Sequence, residues 1–99
     1  MGIDFALDEL YATGWSNLDS AGCARHVDGR EYPKPETVRR EFAAAGQHLT
    51  MQQVEAFKCF RAAWSGTGTA PGTVVGHSEA EAAVFALAQL RRQLVAASA

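Results

Sequence analysis

Leu49-Thr50-Met51-Gln52-Gln53-Val54-Glu55-Ala56-Phe57-Lys58-Cys59-Phe60-Arg61-Ala62-Ala63-Trp64 decides the fold, because two periodicities compete within it. At helical spacing, Val54, Phe57, Phe60 and Trp64 share a face, and Glu55, Lys58 and Arg61 gather opposite. Thr50 and Gln53 supply a capping box at its start. At a spacing of two, Phe57, Cys59 and Ala63 alternate with Lys58, Phe60, Ala62 and Trp64 over about 55–64, a poorer pattern. Local chemistry therefore favours a helix over 50–64.

The counter-argument is long-range. Thr73-Val74-Val75 is β-branched and bounded by Gly72 and Gly76, which reads as a short strand. A lone strand leaves its backbone N–H and C=O groups unpaired. The link from Ser65 to Gly72, rich in Gly, Thr and Pro, can close a hairpin back onto 55–64. Two folds stay open on this reading. The first is an α+β domain with a small antiparallel sheet (a hairpin of about 55–64 and 72–77) packed by helices at about 4–13, 36–45 and 79–96. The second is a mostly α domain in which 50–64 is helical.

The last helix is the clearest element. Ser78 and Glu81 form a Ser-x-x-Glu capping box, and Glu79 and Glu81 place negative charge at the positive end of the helix dipole. Ala80, Val84, Leu87, Leu90 and Leu94 make one apolar stripe. Ala82, Phe85, Ala86 and Val95 extend the apolar surface beyond it, and the polar arc of Glu81, Gln89, Arg92 and Gln93 is narrow. Such a helix is expected to be covered on more than one side. Phe85, Ala82, Ala86 and Arg92 are accordingly the candidate interface, with Phe85 as an aromatic anchor and the alanines permitting close approach.

Residues 73–97, a strand followed by Gly76-His77-Ser78-Glu79-Ala80-Glu81-Ala82-Ala83 and an Ala/Leu-rich helix, resemble the closing strand–turn–helix of double-stranded-RNA-binding-like domains. They resemble equally that of HicB-type antitoxin domains and of small phage αββα sandwiches. The resemblance covers these residues alone and implies a helix docked on a hairpin. It departs from the RNA-binding family where that family carries phosphate-contacting lysines. Glu79 and Glu81 stand there instead.

Upstream, Leu7, Leu10 and Tyr11 form a stripe on a first helix that Asp4 is expected to cap and Gly14 to stop. The stretch from Trp15 to Gly22 has turn composition. Asp28-Gly29 is a common hairpin turn, flanked by Arg25-His26-Val27 and Arg30-Glu31-Tyr32, which could equally be an ordered loop. Pro35 suits a helix start, Val38, Phe42 and Ala45 follow at helical steps, and Gly46 ends that helix. The aromatics Trp15, Tyr32, Phe42, Phe57, Phe60 and Trp64 are assigned to the core.

Ninety-nine residues with a formal net charge of −2 indicate one small domain, 1–99, without the basic bias of a nonspecific polyanion binder. No run approaches the roughly 18 apolar residues of a membrane span, and no secretory pattern opens the chain. Cys23 and Cys59 are too few for a disulfide scaffold, so a reduced cytoplasm is the default. Abundant alanine, and arginine in preference to lysine, point to a GC-rich bacterial or phage genome.

Candidate chemistry is sparse. Cys23-x-x-His26 could close on one zinc ion as a half-site whose other half would need His48, Cys59 or His77, but a buried cysteine and ordinary loop histidines are the favoured reading. The same cysteines and histidines could supply a nucleophile and base, with Asp19 or Asp28 as orienting group. Ser65 to Gly72 lacks the Gly-Lys-Ser/Thr ending of a phosphate loop. Arg39-Arg40 and Arg91-Arg92 would make a nucleic-acid contact if their helices lay side by side, but solvated helix surface is the favoured reading. No catalytic residue, cofactor or firm metal ligand is assigned. The expected function is a non-enzymatic protein–protein interaction or regulatory module of a bacterial or phage cytoplasm, self-associating as a homodimer or small assembly, with no membrane partner. The alternatives are a nucleic-acid-associated regulator using the arginine pairs, and a small zinc- or thiol-dependent protein.

Overall fold

The structure, a computed structural model, describes residues 3–15, 22–66 and 71–98, with side chains described as far as Gln93. The loop residues 16–21, the link residues 67–70 and the side chains of Leu94 and Val95 lie outside that description. The elements run α1 (Asp4–Ala12), β1 (Cys23–Arg25), β2 (Glu31–Pro33), α2 (Pro35–Ala44), β3 (Gln47–Val54), β4 (Cys59–Gly66), β5 (Gly72–Gly76) and α3 (Glu79–Ser98). The chain is an α+β domain with a two-stranded and a three-stranded antiparallel sheet, and not the mostly α alternative.

The competing stretch folds as a β-hairpin. β3 and β4 pair antiparallel from Gln47↔Gly66 to Val54↔Cys59, closed by a 3-10 turn at Glu55–Phe57 and by Lys58 in the left-handed conformation. The expected 55–64 strand is thus β4, shifted to Cys59–Gly66, and it pairs with β5 from Phe60↔Gly76 to Trp64↔Gly72. β3 was not anticipated. Thr50 and Gln53 are strand residues rather than helix caps. A helix over 50–64 would bond its own backbone but leave β5 without a partner, whereas β4 pairs on both edges, which overrides the local period.

The pleat sorts the side chains. Leu49, Ala62 and Trp64 are buried and Met51, Phe60 and Val74 are partly buried against the core. His48, Thr50, Gln52, Arg61, Ser65, Thr73 and Val75 occupy the opposite, open face. Phe57 belongs to neither face. It sits on the turn with 79% of its surface exposed, a correction to its assignment to the core.

Helix boundaries follow local chemistry. Gly14 and Gly46, at φ +85° and +78°, follow α1 and α2 and reverse the chain where a Cβ would be strained. Pro35 opens α2. At α3, the Glu81 N–H donates to Ser78 Oγ at 3.1 Å, and Glu81 Oε1 accepts the His77 N–H at 3.0 Å. Asp4 is not a cap. Residue Ile3 holds that position without a side-chain bond.

α3 lies against β5, β4, α1 and α2. From Glu81 to Leu90 only Phe85 and Gln89 are not fully buried. A helix apolar around most of its circumference is an interior helix, and here its own chain covers it. Phe42 on α2 meets Trp64 edge-on, centroids 5.5 Å apart. Fully burying a side chain such as Phe42, Leu7, Leu10 or Leu87 contributes about 1.5–3 kcal/mol each. The Trp64 ring also lies over Gly72, where any Cβ would overlap it. Its indole N–H is buried without a partner, a cost of about 1–3 kcal/mol that the ring packing must offset. No helix among the described residues is long and apolar enough to cross a membrane.

Three substitutions test this packing. Phe57→Ser should shift urea stability by no more than about 0.5 kcal/mol, whereas Phe42→Ala should cost about 3–5 kcal/mol. Gly72→Ala should cost about 1–3 kcal/mol, because the added Cβ would overlap the indole and force the ring to shift. An unchanged denaturation midpoint in Gly72→Ala would contradict the placement of Trp64.

Candidate functional site

The Asp28-Gly29 turn folds as the hairpin its residues suggest. β1 and β2 pair from Cys23↔Pro33 to Arg25↔Glu31. Asp28 Oδ1 accepts the Arg30 N–H at 2.9 Å and Oδ2 accepts Arg30 Nε–H at 2.7 Å, an Asx-type closure of the turn. The Arg30 guanidinium then reaches α1, donating to Asp8 Oδ1 at 2.6 Å and lying 3.9 Å from Asp4. It also lies 5.8 Å from the Tyr11 ring centroid. The Tyr11 hydroxyl donates to the Glu31 carbonyl at 2.7 Å, and His26 Nε2 contacts Asp4. The small hairpin is therefore fastened to α1 chiefly by polar contacts.

Electrostatics in this cluster follow the hydrogen bonds. The Asp28 carboxyl is held below the usual aspartate value, first by the Arg30 backbone N–H and then by its guanidinium. Hydrogen bonds to Asp8 and Asp28 raise Arg30 in turn. Asp4, His26 and Asp28 are the described residues whose ligand atoms come within 4.8 Å of one another, so they are the residues able to share a cation. Arg30 already engages two of these three side chains.

This arrangement redistributes the candidate ligands. His26 turns to the carboxylates, so it gathers with Asp4 and Asp28 rather than with Cys23, the other weak metal candidate. Cys59 stands opposite Val54 at one end of β3, and His48 lies six residues along that strand. At about 3.3 Å per residue this separates them by roughly 20 Å, too far for a nucleophile and its base. His77 is exposed and faces Glu81, with Nδ1 3.4 Å from Oε1. Asp19 lies outside the described residues. On the open sheet face, His48, Thr50, Ser65 and Thr73 border a shallow depression of about 280 Å³.

The arginine pairs divide. Arg91 Nε–H donates to Thr13 Oγ1 at 2.8 Å, at the C-terminal end of α1, where a cation is favoured. Arg92 pairs with Glu9. Arg39 and Arg40 remain exposed on α2. Both charges of the second pair are thus committed to α1 and do not join the first in one patch.

The interface candidates also separate. Ala82 and Ala86 are fully buried inside the chain and cannot present a surface, because the sheet and neighbouring helices already cover that side of α3. Phe85 is half-buried. The Phe5 ring, 58% exposed, tilts against it at 5.9 Å. With the Glu9–Arg92 pair also joining α1 to α3, this is an aromatic patch flanked by opposite charges. Sequence reading passed over Phe5 and the Asp4, Asp8 and Arg30 cluster. Phe5 did leave a signal, since it falls off the Leu7–Leu10–Tyr11 stripe and so had to face elsewhere.

The Asp28 contact predicts the sign of an acid effect. A carboxyl whose folded pKa is depressed contributes stability that is complete above its unfolded pKa and disappears as pH falls through the folded one. Carboxyl-carbon NMR titration should place Asp28 below an ordinary aspartate. Arg30→Gln should raise it part of the way, since the backbone N–H remains. An Asp28 titration indifferent to Arg30→Gln would show that the side-chain contact is absent in solution.

Set against known proteins, the chain matches no family model, no curated protein and no solved structure.

Proposed function

We propose that this chain is a non-enzymatic interaction module that self-associates through the surface of Phe5 on α1 and Phe85 on α3. The observation that carries this reading is the exposure of Phe5, more than half open while tilted against a second aromatic ring. Aromatic side chains in such positions are the common anchors of protein interfaces. A two-fold interface must be complementary to itself. The aromatic pair lies beside a mutually neutralised Glu9–Arg92 pair, so a second copy placed against it meets no like-charge repulsion there. Composition supports a bacterial or phage cytoplasmic setting for the module.

Phe5→Asp tests the proposal more cleanly than Phe85→Asp, because Phe85 is partly buried and its loss would also disturb packing. Analytical ultracentrifugation should show a dimer for the native chain and at least about 30-fold weaker association for Phe5→Asp, the loss of one hot-spot residue. Urea stability at concentrations where monomer dominates should stay within about 0.5 kcal/mol. A native chain that stays monomeric at high concentration would overturn the reading. A low-salt mobility shift with DNA or RNA, abolished by Arg39→Ala with Arg40→Ala, would replace it with the nucleic-acid alternative.

A further inference from the structure

We draw no further inference here: the strongest candidate, the Asp4–His26–Asp28 side-chain cluster where the β1–β2 hairpin meets the start of α1, is an acidic group already engaged by Arg30 and by its own hydrogen bonds, with no second feature that points to a ligand.

Discussion

Among the described residues β4 is the one strand with a neighbour on each side, and the rest of the structure depends on its backbone hydrogen bonds. β5 has only five residues and pairs with β4 alone. β3 likewise has β4 as its partner. Remove β4 and both edge strands lose the groups that satisfy their N–H and C=O rows, at a cost that side-chain patterning cannot recover. The pairing also fixes which side chains face inward. Leu49 lies opposite Trp64 and Met51 opposite Ala62. A slip of one residue would turn Trp64 away from Phe42 and carry Arg61 into the core.

The helices complete what the sheet begins. α3 is alanine-rich where it is most buried, and small side chains let the sheet and two helices approach it together. Gly76 shows how tight this is, since a Cβ there would meet the backbone of Ala82. The same closeness explains the Ser78–Glu81 cap. The start of α3 is pressed against the end of β5, where Ser78 Oγ accepts the first-turn N–H of Glu81 and the buried Glu81 carboxylate accepts the His77 N–H just before the helix. The apolar circumference that suggests an external partner is thus mostly consumed within the chain. Among the residues whose side chains are described, the part left outside is Phe5 resting on Phe85, beside Glu9 and Arg92.

Legibility in the sequence followed the range of the interactions. Several features set within four residues were readable, including the Ser78 cap, the Gly14 and Gly46 stops, the Pro35 start and the Asp28-Gly29 turn, whereas the Asp4 cap and the Thr50–Gln53 capping box were misread. The strand character of Gln47–Val54 was not, because its periodicity is polar and its justification lies in β4, up to 19 residues away at the Gln47↔Gly66 pair. The need of Thr73–Val75 for a neighbour did recover half of the sheet. The polar cluster was hidden for the same reason, since Arg30 and Asp8 are 22 residues apart. Cys23 and His26 sit close in sequence, yet His26 answers to carboxylates on α1 and at the turn. The interface reading began from Phe85 and gave it Ala82 and Ala86 as companions, which the chain itself buries. Ala82 and Ala86 flank it along the chain, whereas Phe5 touches it in space.

The central claim is that 47–66 is a hairpin pinned between β5 and the helices. Backbone NMR tests it most directly. Extended Cα and Cβ shifts across 47–54 and 59–66 are predicted, with cross-strand proton contacts linking Met51 to Ala62 and Ala62 to Val74. Helical shifts across 50–64, with contacts between residues three and four apart and none to 72–76, would contradict it.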